Sequence, residues 1–262
     1  MTSLSEAIRA ALLTGDPRGK VMATRKLVRG WRQGRLEADF RCAMPERPAW
    51  PAELELLPPN RMPRRGRGGS QRNAIALWHS LAHIEFVAID LALDMAGRFG
   101  GEMGRQFVDD FLSVAADEAM HFALIDRHLR TMGAHYGQLP AHDGLWQSAH
   151  ETRHDVAARL AVVPMVLEAR GLDVTPAARD RVRAMGDAAG GRILQRVLDD
   201  EIRHVAAGTR HFVALCQTLS LTPENHWKTL VERYFRGALK PPFNDSARLA
   251  AGLSREFYAG VA

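Results

Sequence analysis

Two runs place groups that chemistry uses where a hydrophobic core is expected: Val114-Ala115-Ala116-Asp117-Glu118-Ala119-Met120-His121 and Val197-Leu198-Asp199-Asp200-Glu201-Ile202-Arg203-His204. Each is Asp-Glu-x-x-His inside a helical pattern. Residues three apart share a helix face, so each run points a carboxylate and an imidazole the same way. Glu118 and His121 share their stripe with Phe111, Val114, Ala115, Phe122 and Ile125, and Glu201 and His204 share theirs with Leu194, Val197, Leu198 and Val205. Two more carboxylates sit on apolar stripes: Glu85 among Trp78, Leu81, Ala82, Ile89 and Ala92, and Glu168 among Ala161, Pro164, Met165 and Leu172. Glu85 precedes Glu118 by 33 residues and Glu168 precedes Glu201 by the same interval. The chain reads as two halves of the form Glu, then Asp-Glu-x-x-His, the mark a duplicated helix pair would leave.

Burying unpaired carboxylates is so unfavourable that each would take up a proton unless a cation met it. Two divalent ions would neutralise four Glu side chains, with two neutral imidazoles completing the donor set. Oxygen and nitrogen donors without thiolate suit iron or manganese better than structural zinc. An isolated Glu-x-x-His arises often by chance as a solvated pair; two copies on apolar stripes, each preceded by Asp and each following a stripe Glu at one interval, do not. A Glu from each of two helices and Glu-x-x-His from two others resembles the ligand set of ferritin-like di-iron carboxylate bundles.

These residues must be carried by long helices. Residues 3–14 predict a helix capped by Ser3, and Asp16-Pro17 opens a second at 17–32. Six prolines between residues 43 and 70 (Pro45, Pro48, Pro51, Pro58, Pro59 and Pro63) exclude a long regular element there. That arm ends in a basic glycine-rich run whose Arg64, Arg65 and Arg67 could hold an anion, the alternative being a solvated linker. Four long helices are then expected at 71–96, ending at Gly97 with a Gly100-Gly101 turn, at 102–132, at 151–170 with Pro164 bending it beside Glu168, and at 188–219. Shorter helices are expected at 175–184, 222–239 and 245–258. The fold class is all-α: a ferritin-like four-helix bundle with one long crossover (133–150), divided as 1–70 (N-terminal helices and proline-rich arm), 71–219 (bundle) and 220–262 (C-terminal helices).

With 262 residues the chain can bury a real core. Cys42 and Cys216 form no C-x-x-C pair, which fits a reducing compartment. No signal peptide or uninterrupted apolar run of about 18 residues is visible, so a cytoplasmic protein without a membrane partner is expected. The net charge of +5, carried mainly by arginine, permits nucleic acid or phosphorylated partners without specifying them. Of the other histidines, His79 and His83 project away from the Glu85 stripe, His128 and His211 follow the motif histidines by seven residues, and His150 with His154 lacks a third ligand.

The segment Leu77-Trp78-His79-Ser80-Leu81-Ala82-His83-Ile84-Glu85-Phe86-Val87-Ala88-Ile89-Asp90-Leu91-Ala92-Leu93-Asp94, with Glu168-Ala169-Arg170-Gly171-Leu172-Asp173 and Pro242-Phe243-Asn244 followed by Arg248 and Gly252, resembles the ferritin-like family catalogued as domain of unknown function 455. The resemblance runs from the basic loop onward. It implies that Glu85, Glu118, His121, Glu168, Glu201 and His204 ligate two metal ions, iron first and manganese as the alternative, with Glu118 and Glu201 bridging. By further analogy Asp117 would orient His204 and Asp200 would orient His121, the alternative being two solvent-facing aspartates. It also implies dioxygen as co-substrate, an unknown organic substrate and a redox partner: an oxidase or monooxygenase with the six ligands as its catalytic apparatus. A tRNA hydroxylase of similar architecture would account for the basic charge, so tRNA is one partner to consider. Ribonucleotide reductase is disfavoured because Ile125 occupies the neighbourhood of the radical tyrosine and the tyrosines are Tyr136, Tyr234 and Tyr258. Ferroxidase-type iron handling and a non-enzymatic helical binding module are the rival classes. The long extensions argue for a monomer or dimer over a ferritin cage.

Overall fold

Helical periodicity determines the class: the protein is all-α, with a two-residue parallel pairing of β1 (Thr2–Ser3) with β2 (Leu36–Glu37) and an isolated bridge between Leu56 and Ala141 among the described residues. The computed structural model describes residues 2–63 and 70–260, so Arg64, Arg65 and Arg67 lie outside the described residues. Chain contacts divide it into two compact units, Met1–Trp146 and Gln147–Ala262.

In the first unit α1 (Leu4–Leu12) begins at the expected cap, with Ser3 Oγ accepting from Glu6 N (3.1 Å) and Ser3 N donating to Glu6 Oε2 (3.3 Å). In α2 (Pro17–Arg32), Asp16 caps the end by accepting from Gly19 N. Both pack against the helix pair α3 (Gln71–Met103) and α4 (Arg105–Thr131), α1 on α3 and α2 on α4. One residue, Gly104 with φ +83°, turns α3 into α4 so that the two run back along each other.

The expected stop at Gly97 is therefore wrong, and α3 runs on through Gly100 and Gly101 to Met103. These glycines admit neighbours. A Cβ at Gly97 would lie 2.4 Å from Met44 Sδ and 2.9 Å from Ile8 Cγ2, and one at Gly100 would lie 2.6 Å from both Phe40 Cε1 and Val108 Cγ2. A helical glycine costs roughly 1 kcal/mol relative to alanine, but alanine at either position would collide with these neighbours. By length and composition α3 could cross a bilayer, but 61% of its apolar window is buried inside the protein, as in a core helix.

A buried ion pair ties the N-terminal elements to α3. Lys20 Nζ donates to Asp90 Oδ1 (2.5 Å), Ala49 O (3.0 Å) and Leu12 O (3.3 Å), and stands 4.7 Å from the centre of the Phe86 ring. Both side chains are wholly inaccessible. Burial pushes Asp90 up to about 7 against the pull of Lys20, and lowers Lys20 against the pull of Asp90.

In the second unit α6 (Val156–Val162) leads through a π turn (Val163–Glu168) into α7 (Ala169–Ala184), which packs against α8 (Ala188–Thr218). The expected helix of 151–170 starts later, at the Asp155 cap, and α5 (Gly144–Glu151) precedes it. Pro164 is absorbed by the π turn: it has no N–H to donate, and Gly208 of α8 comes so close that a Cβ there would lie 2.3 Å from its ring. The Ala161 carbonyl accepts from Trp227 Nε1 of α9 (Pro223–Tyr234) at 3.2 Å.

Nor does the helix end at Gly171, since α7 continues through Thr175-Pro176. Pro176 cannot donate to the carbonyl of Leu172, and Asn244 Nδ2 takes that place at 3.1 Å. Asn244 also caps α10 (Asp245–Ala250). Asp173 grips buried Arg248 through two hydrogen bonds (2.9 and 2.7 Å), and the guanidinium lies over Phe243 and over Tyr258 of α11 (Arg255–Tyr258). The Pro242-Phe243-Asn244 and Arg248 motif thus locks the C-terminal segment onto α7.

Removing one member of a buried ion pair strands the other. Lys20→Met should lower unfolding stability by about 3 kcal/mol in urea titration, and Lys20→Met combined with Asp90→Leu should recover most of that loss.

Candidate metal centre

In the first unit α3 carries Glu85 and α4 carries Glu118 and His121 one turn apart. All three are buried, at 4%, 0% and 0% exposure, which removes water as their partner. His121 Nδ1 lies 3.3 Å from Glu85 Oε2 and 3.3 Å from Glu118 Oε2. One donor atom from each residue falls within 4.8 Å of the others, close enough to share an ion. Glu85 Oε2, although near His121, lacks a well-aligned hydrogen bond. Burial raises the Glu85 carboxyl well above the usual range, the charge of Glu118 adds to this, and His121 opposes it. For His121 burial works against the charged ring, but the adjoining carboxylates of Glu118 and Glu85 prevail and push it up to about 11. Two buried carboxylates here call for positive charge. Buried carboxylate oxygens and an imidazole nitrogen, without thiolate, fit a hard or borderline divalent cation.

The second unit repeats half of this pattern. Glu201 and His204 share the buried face of α8, with His204 Nδ1 3.7 Å from Glu201 Oε2. Glu168 ends the π turn, half-buried, so the one irregular turn of that helix immediately precedes α7 at a proposed ligand. Gly171, three residues on, leaves room for Glu201: a Cβ there would lie 3.7 Å from its carboxyl carbon, in ordinary contact. Of the six residues expected to ligate, Glu85, Glu118 and His121 therefore cluster on α3 and α4, and Glu201 and His204 pair on α8.

Asp200 is buried and engaged by Arg196 Nε at 2.5 Å and by Arg203 Nη2, both on its own helix. Asp117 is half-buried. His79 and His83 lie off the Glu85 stripe, as expected, but they are core residues with a definite task. His79 Nε2 accepts from Gly137 N (3.0 Å) and Leu139 N (3.3 Å), which places its proton on Nδ1. His83 Nε2 donates to His142 O (3.1 Å), and its Nδ1 accepts from Tyr136 OH (2.9 Å). Burial lowers both to about 4, so they are neutral. Together they pin the segment after α4, and Tyr136 lies against Phe86 and Phe122, the neighbours of Glu85 and His121. Sequence reasoning missed this support because its partners are more than 50 residues apart and no spacing links them. His128 contacts Trp78 edge-on, with ring centres 4.4 Å apart.

A family profile described as "Protein of unknown function (DUF455)" matches residues 13–259. The chain belongs to this family. A relative from Haemophilus influenzae, described as an uncharacterized protein, is 41% identical over 214 residues, covering 79% of this chain and 74% of the relative. No solved structure matches the chain. The matched range takes in every carboxylate and imidazole of the candidate site, together with the Asn244 and Arg248 lock, so it extends the resemblance expected from the basic loop onward back to residue 13.

Tyr136→Phe removes one buried hydrogen bond from the support behind Glu85 and should lower stability by about 1 kcal/mol. Metal content measured on the same sample should not change.

Proposed function

We propose that this family member is a di-metal carboxylate protein in which Glu85, Glu118 and His121 of the first unit and Glu168, Glu201 and His204 of the second hold two divalent ions, iron first and manganese as the alternative. The observation that carries the reading is the buried cluster of Glu85, Glu118 and His121, whose two carboxylates have no solvent to stabilise their charge. The repeat of Glu and Asp-Glu-x-x-His in the second half supports a matching contribution from α8 and the π turn.

Bound redox-active metal would supply the activation of dioxygen, and the reaction class is oxidation of an organic substrate. The chain's own residues do the rest. The carboxylates bring negative charge, the imidazoles would become neutral donors by giving up a proton when metal binds, and Phe86, Phe111, Phe122 and Ile125 keep bulk water from the α3 and α4 side. Asp117 and Asp200 would orient the ring nitrogens that do not face the metal. Cys42 and Cys216 are free thiols, in keeping with work in a reducing compartment such as the cytoplasm.

Protein purified without chelator should contain about two ions per chain, as this ligand set holds in related architectures. Glu118→Ala and Glu201→Ala should each lose at least one, and full occupancy in both variants refutes the assignment. Chelation should also lower the melting temperature, because ligand binding to the native state stabilises it. Loading with ferrous iron under anaerobic conditions, followed by oxygen, separates the classes: oxygen consumption with a transient visible absorbance supports an oxidase, whereas steady accumulation of ferric iron well beyond two per chain points to iron handling.

A further inference from the structure

Helix α2 has an unneutralised cationic face. Its buried side consists of Lys20, Val21, Thr24, Leu27, Val28, Gly30 and Trp31, and its exposed side carries Arg18, Met22, Arg25, Lys26, Arg29 and Arg32, followed by Arg35 just past its end. No Asp or Glu occurs within the helix. Among the described residues Arg18, Arg25, Lys26, Arg29 and Arg35 form no ion pair, and Arg32 reaches only Ser113 Oγ, at 3.3 Å. Two carboxylates beside the helix are committed: Asp16 caps it, and Asp109 accepts from Trp31 Nε1 beside Arg105. Several arginines elsewhere are paired, as Arg179 is with Asp180 and Arg196 and Arg203 are with Asp200.

This arrangement serves the helix only in part: Arg29 and Arg32 in its last turn suit the negative end of the dipole. Arg25 and Arg29 are like charges one turn apart, and Arg18 adds positive charge at the end where the helix dipole is already positive. The comb extends about 21 Å from Arg18 to Arg32. A lipid surface fits it poorly, because an interfacial helix buries an apolar face in the headgroup region. The apolar face of α2 is already used against α1 and α4, and Met22, at 57% exposure, is the large apolar side chain it shows. A regular polyanion fits well.

We propose that the exposed face of α2 binds the phosphate backbone of nucleic acid, with Arg18, Arg25, Lys26, Arg29 and Arg35 as the contacts. Trp31, the aromatic residue of the helix, is buried at 4% exposure and offers no ring for base stacking, so binding reads charge and spacing and not sequence. The inference stands apart from the metal centre and does not rest on it.

The test is fluorescence anisotropy of the full-length protein with a labelled DNA duplex of about 20 base pairs, in two unrelated sequences, between about 50 and 200 mM salt. Five neutralised phosphates predict a slope of about −4.5 in log affinity against log salt, a loss of about 500-fold across that range, equal for both sequences. Arg25→Gln with Arg29→Gln should bring the slope nearer to zero by about 1.8, with helicity and metal content unchanged. Arg181→Gln with Arg183→Gln, exposed arginines of α7 that remove the same charge, should leave the slope alone. An unchanged slope in the α2 variant, an equal change in the α7 variant, or binding to phosphatidylglycerol vesicles without binding to the duplex overturns the proposal.

Discussion

The constraint on which the first unit depends is the electrostatic cost of placing Glu85 and Glu118 side by side out of water. Neither carboxylate can be solvated there, each raises the energy of the other's charge, and His121 is the positive partner within reach. A core that tolerates such a cluster must be held in register by everything around it, because a displaced carboxylate loses its partner and gains no water. The surroundings of α3 and α4 read as that support. Phe86 and Phe122 pack beside the cluster, Tyr136 covers them, and His79 and His83 tie down the segment that carries Tyr136. On the other side of α3, Lys20 and Asp90 fasten the N-terminal helices, and glycines at 97 and 100 let Ile8, Met44 and Phe40 approach the helix backbone.

The second unit handles a different problem, which is how to run a helix through two prolines. At Pro164 the backbone widens into a π turn that ends at Glu168, and Trp227 takes up the carbonyl of Ala161. At Pro176 the helix keeps its course because Asn244, from a segment about 70 residues away, donates to the carbonyl that the proline leaves without a donor. The gap at Pro176 is thus filled by a hydrogen bond from a distant element, which makes the C-terminal segment part of the architecture of α7. Within the segment from Pro242 to Arg248 the charged guanidinium of Arg248 is taken up in holding the chain together.

How much of this could be read from the chain alone depends on the range of the interactions. Caps are local, so Ser3 with Glu6, Asp16, and the starts of α8 and α9 near residues 188 and 223 are legible in a few letters. The helical stripes are local too, and Glu118 with His121 on one buried face follows from a spacing of three. Gly97, Gly171 and Pro176 mislead for the opposite reason. A glycine that ends a helix and one that admits Met44 look alike in sequence, and a proline that breaks a helix looks like one whose lost hydrogen bond Asn244 makes good.

The sequence by itself determined that the protein is helical, which faces of its helices are apolar, and that four Glu and two His stand on those faces at repeating intervals, because these facts depend only on residue type and a period of 3.6. Tertiary structure alone decided that Glu85 reaches His121 across two helices, that Lys20 meets Asp90 in the dry interior, and that most cations on the exposed face of α2 form no ion pair among the described residues. Those are contacts, or the lack of them, between residues far apart in the chain. Their energies depend on burial and distance, quantities that come into being only when the elements pack.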